Sequence, residues 1–141
     1  MMSLNKKVYI SIKSSQTVDN SKDTTELFTC GRMESTKDGF KLYYDESEAT
    51  GFDGSSVTLN VIPDCVTVAR RGKAVSTLII ERGKKHHCHY GTEFGEFMIG
   101  VSGDEIKNDL SENGGNIYLK YTLDINSSFM SENEMLINVK E

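Results

Sequence analysis

The feature that most constrains this chain is an alternation of apolar and polar residues that recurs along its length. In KVYISIK, Val8, Ile10 and Ile12 fall on one side and Lys7, Tyr9, Ser11 and Lys13 on the other, the period of two that a half-buried strand requires. TTELFTCGRMES, GFKLYYDE, SSVTLNVI, CVTVARR, AVSTLIIE, KHHCHYGT, EFMIGV, GNIYLKYTLDIN and NEMLINVK follow in order, rich in Val, Ile, Thr, Tyr and Phe. Such side chains fit a pleated surface. Turn signals separate them: Lys37-Asp38-Gly39, Phe52-Asp53-Gly54, Ile62-Pro63-Asp64, Arg71-Gly72-Lys73, Arg82-Gly83-Lys84 and Asn113-Gly114-Gly115. Short strands at even spacing predict antiparallel hairpins. With about ten strands, a closed or nearly closed barrel is favoured over an open sheet, because closure removes exposed edges. Helical signals are sparse: DEIKNDLSENGG sets Ile106 and Leu110 four residues apart with Gly114 as a stop, which reads as one helical turn or as a strand followed by a loop.

No repeat, low-complexity tract or linker marks a boundary, and 141 residues suffice for one core. A single domain over residues 1–141 is expected. Sixteen basic against 21 acidic residues give a net charge of -5, without the basic stripe that drives phosphate-backbone binding. Nucleic acid is therefore not an expected partner. MMSLNKKVYISIK alternates where a secretion signal needs an unbroken apolar run. No segment approaches the roughly 20 apolar residues of a membrane span. The expectation is a cytoplasmic protein with no membrane association. Cys30, Cys65 and Cys88 are odd in number, widely spaced and without a Cys-x-x-Cys pair, so free thiols are expected rather than a disulfide framework or a structural zinc site.

ESEATGFDGSSVTLNV at 46–61, RRGK at 70–73, ERGKKHHCHYGTEFGEFMIGV at 81–101 and GGNIYLKYTLDIN at 114–126 carry a resemblance. The chain is similar over nearly its whole length, from Val8 to Lys140, to the YwiB-like bacterial family. That family is a domain of unknown function with a calycin, or lipocalin-like, β-barrel. The resemblance implies an all-β, lipocalin-like antiparallel barrel of about eight to ten strands and a cytoplasmic setting, and it implies no activity. It also marks His86 as a shared position, followed by Tyr90, Thr92, Phe94 and Gly95.

The three histidines stand together in GKKHHCHY. On a strand, His87 and His89 project to one face while His86, Cys88 and Tyr90 project to the other, so the group does not converge on one ion. A His-x-His pair places two imidazoles about 7 Å apart, and catalytic zinc needs a third protein ligand. His86, Tyr90 and Thr92 share a parity. A three-residue turn at Arg82-Gly83-Lys84 sets Ile80 opposite His86 and Leu78 opposite Cys88, making that face the barrel interior; a two-residue turn reverses the assignment. A catalytic reading of Cys88 needs a base within reach of its thiolate. Its sequence neighbours face away, leaving a cross-strand partner to supply one.

Arg70 continues the parity of Val66 and Val68 in CVTVARR, and Glu46 continues that of Leu42 and Tyr44 in FKLYYDE. A charge at the end of an apolar face either emerges at the mouth or meets a counter-ion. Two readings follow: a structural Arg70–Glu46 ion pair, or a guanidinium fork for a ligand carboxylate or phosphate. Glu48 follows at i+2 from Glu46, but acid/base chemistry needs two carboxyls held across a cleft in different environments. Gly51 and Gly54 predict a bend with a loop over the mouth. The alternate oxygen ligands of a calcium loop are missing.

These residues lead first to a non-enzymatic binding barrel that admits a small, partly apolar or anionic ligand and calls for no cofactor. Tyr44, Leu78, Ile80 and Tyr121 would form its wall. Arg70 and Glu46 would supply charge, and His86, Tyr90 and Thr92 orienting hydrogen bonds. A packed barrel acting through its surface, as a monomer with a protein partner or as a homodimer, is the alternative. A metal protein or enzyme centred on residues 86–89, with His87 and His89 as the metal candidates, is the third.

Overall fold

In the computed structural model, which describes residues 5–47, 54–73, 75–92, 95–126 and 128–141 but not the side chain of Thr92, each alternating run becomes a strand. These are β1 (Asn5–Val18), β2 (Ser21–Ser35), β3 (Phe40–Asp45), β4 (Ser55–Ile62), β5 (Cys65–Gly72), β6 (Ser76–Glu81), β7 (Lys85–Thr92), β8 (Gly95–Asn108), β9 (Gly114–Ile125) and β10 (Ser128–Lys140). Each pairs antiparallel with its neighbours in chain order, and β10 returns to β1 from Tyr9↔Lys140 to Thr17↔Glu132, closing the barrel. Closure leaves no unpaired edge strand among the described residues. No helix among the described residues is long and apolar enough to cross a membrane.

DEIKNDLSENGG takes the second of its two readings. β8 runs on to Asn108 through a register shift between Gly103 and Glu105. At Gly103 the β6–β7 turn folds onto β8: Gly83 N–H donates to the Gly103 carbonyl at 2.9 Å, and Gly103 N–H to the Lys84 carbonyl at 3.0 Å. A Cβ at Gly103 would stand 2.2 Å from the Glu81 carbonyl oxygen, so only glycine permits this approach.

β1 and β2 extend past their apolar runs into a long hairpin, with pairs such as Gln16↔Asp23 and Val18↔Ser21. Its two-residue turn is Asp19-Asn20, with φ of 48° and 66°. Asn and Asp tolerate this left-handed region, and two positive φ values in succession match the twist of a tight hairpin.

Because consecutive strands run antiparallel, strand ends alternate between the two ends of the barrel. Val18, Ser21, Asp45, Ser55, Gly72, Ser76, Thr92, Gly95, Ile125 and Ser128 bound the strands at one end; Ser35, Phe40, Ile62, Cys65, Glu81, Lys85, Asn108, Gly114, the start of β1 and the close of β10 lie at the other. The interior toward the terminal end is filled by fully buried aliphatic side chains, among them Val8, Met33, Val61, Val66, Ile80 and Ile117. Toward the other end, the mouth, the inner face turns polar: Glu46, Ser55, Arg70, Ser76, Ser131 and Asn133 are buried there. That change of chemistry along the axis positions the site.

Candidate functional site

A cavity of about 230 Å³ opens at the mouth. On four strands its lining pairs an apolar residue with a polar one two places nearer the mouth: Ile12 with Ser14, Leu27 with Thr25, Val68 with Arg70, and Met135 with Asn133. Ser76 stands behind Arg70 rather than on the cavity wall. On β9 the order is reversed, with Leu123 nearer the mouth than Tyr121. Gln16 and Asp23 of the long hairpin face each other above Ser14 and Thr25.

The two inward charges meet. Arg70 Nη2 lies 3.0 Å from Glu46 Oε1, with side-chain exposures of 10% and 3%, and Arg70 Nη1 donates to Ser76 Oγ at 3.4 Å. Glu46 is held in turn by its backbone N–H, which donates to the Ser55 carbonyl at 2.9 Å. Around the pair stand Tyr44, Tyr90 and Tyr121. Burial pushes the Tyr44 phenol far above its ordinary range; Glu46 adds to the rise and Arg70 opposes it. Burial likewise pushes Tyr121 up to about 12, against the pull of Arg70 and with a further push from Tyr90. Both phenols are neutral at physiological pH and act as hydrogen-bond donors and acceptors. Asn133 Nδ2 donates to Ser131 Oγ at 2.9 Å on the neighbouring wall.

Of the residues singled out in the sequence, Tyr44, Glu46, Arg70, Leu78, Tyr90 and Tyr121 come together here. Ile80 does not, because it is fully buried in the packed part of the interior. His86 does not join the cluster either. The Ser76↔Tyr90 pair carries the three-residue-turn register, and Cys88 is buried on the inner face. His86 shares that face, but it lies four residues from Tyr90, about 13 Å of extended strand, beside the turn at the far end. There its Nε2 lies 2.8 Å from Glu81 Oε1. This bond, followed by that from Lys84, holds the Glu81 carboxyl below its usual range. Replacing His86 with Ala should leave the unfolding midpoint close to that of the parent and the cavity's binding unchanged. A titration showing lost binding would return His86 to the site.

His87 is exposed on the outer face, and His89 is half-buried there with Nε2 3.4 Å from Glu96 Oε1. Among the described residues no three His, Cys, Asp or Glu side chains form a group able to hold a metal ion. Burial raises the Cys88 thiol, and the bond from Ile79 N–H to its sulfur, 3.3 Å long, opposes this. A raised thiol is poor in the thiolate a nucleophile needs. Glu48, Gly51 and Phe94 lie outside the described residues, as does the side chain of Thr92. Ser14, Gln16, Asp23, Thr25 and Asn133 were not singled out in the sequence, although Ser14 and Gln16 continue the inward parity of Val8, Ile10 and Ile12.

Fold and site define a ten-strand antiparallel barrel, packed toward one end and hollow, with tyrosines around a buried ion pair, at the other. A domain of unknown function (DUF1934) matches residues 10–137, and the chain belongs to that family. The crystal structure of the ywiB protein from Bacillus subtilis is similar, with a TM-score of 0.84 at 22% identity over 96% of this chain and 92% of that one. The likeness is one of fold. A search of the curated proteins gave no match.

Proposed function

We propose that this barrel is a non-enzymatic cytoplasmic binding module that admits a small, partly apolar ligand at its mouth. The observation that carries the reading is the 230 Å³ cavity in a barrel whose other end is packed with aliphatic side chains. An apolar cavity of about 150 Å³ accepts a benzene ring, so this one has room for a slightly larger molecule. Its mixed lining suits a ligand with an apolar part against Val68 and Leu78 and a polar part among the tyrosines. In this reading the barrel works as lipocalin-like folds do, through one open end. Three cysteines with free thiols fit a reducing compartment.

Native mass spectrometry of untagged protein, purified gently from its own cell and remeasured after denaturation, tests the reading. The expected result is a small mass excess lost on denaturing, and absent from a Val68→Phe variant whose ring fills the cavity. A bare mass in the parent would reject it. A second reading, a barrel acting through its surface, draws on Tyr9, Phe28 and Leu136. These lie on the outer face of neighbouring strands, and Phe28 is 76% exposed. A dimeric mass in the same spectrum would favour it.

A further inference from the structure

We infer that the molecule this cavity takes is uncharged and hydrogen-bonding, a small alcohol, phenol or amide with an apolar part, rather than an anion or a cation. The inference rests on the binding reading above and narrows it. A lone inward arginine would read as a fork for a carboxylate or phosphate. Here Arg70 is already engaged at 3.0 Å by Glu46, whose side chain is only 3% exposed. An incoming anion would have to share the guanidinium with a carboxylate or expel it. Glu46 has no water to retreat to, and a buried carboxylate stripped of its partner is costly. The same reasoning refuses a cation, which Arg70 would repel from Glu46. The two opposite charges offset each other at 3.0 Å, so the cavity meets an engaged pair rather than a lone charge.

The other ionisable residues of the lining, among the described residues, do not alter this. Asp23 is exposed at the long hairpin, where water and salt screen it. Glu134 is an exposed residue between inward-facing Asn133 and Met135, so strand alternation turns it outward, where water and salt screen it. What faces a ligand is therefore a set of neutral groups: the phenols of Tyr44, Tyr90 and Tyr121, the hydroxyls of Ser14 and Thr25, and the amide of Gln16. Each can donate and accept. A charged ligand group buried among them would lose its hydration without gaining a counter-ion.

Isothermal titration of the full chain with 1-heptanol, heptanoate and heptylammonium at neutral pH tests this, since the three probes share one carbon chain and differ in head group. The alcohol should bind at least about tenfold more tightly than either ion, and Val68→Phe should abolish its binding. Heptanoate or heptylammonium binding as tightly as heptanol would overturn the charge inference while leaving the binding reading standing. Binding by none of the three would overturn the inference too, and the native mass spectrum then decides separately whether the binding reading falls with it. Glu46→Gln adds a sign reversal: with Arg70 released, heptanoate should gain at least about tenfold while heptanol changes little. An unchanged heptanoate affinity in a folded Glu46→Gln protein would also count against the inference. Should that variant not fold, the ratios in the parent already decide.

Discussion

Glu46→Ala should destabilise the barrel by about 3–5 kcal/mol, read as a fall in ΔG from urea unfolding. The residue contributes little apolar area, so the effect comes from what it leaves behind. Arg70 sits at the end of the inward face of Val66 and Val68, with a side chain 10% exposed, and it cannot lose its proton. Without Glu46 it loses the carboxylate at 3.0 Å, and the neighbouring phenols of Tyr44 and Tyr121 and the Ser76 hydroxyl offer only dipoles in that carboxylate's place. Arg70→Ala should cost a similar amount from the opposite side, because the buried carboxylate then loses its guanidinium. The double change Glu46→Gln with Arg70→Met should recover much of either loss, because replacing both members of a buried pair removes the desolvation penalty as well as the attraction. The coupling between the two sites is then read from the double-mutant cycle that Glu46→Gln alone and Arg70→Met alone complete. A cost below about 1 kcal/mol for Glu46→Ala would mean that the pair behaves as a solvated surface bridge, and the account of a buried, mutually engaged pair beside the cavity would fail with it.

How far the fold and site can be read from the residues depends on what each pattern encodes. The ten alternating runs correspond one to one with the ten strands, because a strand with one wet and one dry face must alternate. The pattern fades where both faces are wet. Residues 14–17 and 21–25 are polar throughout, yet they pair from Ser14↔Thr25 to Val18↔Ser21. Their inner face looks onto the cavity and their outer face onto solvent, so nothing selects apolar side chains. For the same reason the hairpin's polar lining was illegible as part of a site, and so was the Asp19-Asn20 turn. Parity did locate the inward face of Arg70 and Glu46, and it put Tyr90 and Cys88 on one face, with the choice of face left to the length of the turn at 82–84. It reports a face but not a height along the barrel axis. His86 has the parity of Tyr90 and sits beside the far turn, bonded to Glu81, so a shared face did not become a shared site. Placing height requires the hairpin ends, which alternate along the chain, and the register between neighbours.

Leu119→Ala should be among the most damaging changes in the barrel, costing about 2–5 kcal/mol, whereas Leu78→Ala should fall at or below the low end of that range. The two residues carry the same side chain on the same inner surface. Leu119 is 0% exposed and is flanked across the strands by Met135 and Ile106, so removing its isobutyl group opens a void lined on every side by atoms that lose their contacts. Leu78 lies on the cavity wall. One side of it already lacks packing partners, so its truncation enlarges an existing space instead of creating one. Urea unfolding of both variants at one temperature, with unchanged m-values as the check on two-state behaviour, makes the comparison. Equal losses would show the barrel to be packed alike at both ends and would withdraw the ground on which the binding reading stands. A larger loss at Leu119 follows directly if hydrophobic stabilisation is concentrated toward the terminal end, leaving the other end free to spend its residues on polar groups that hold a ligand.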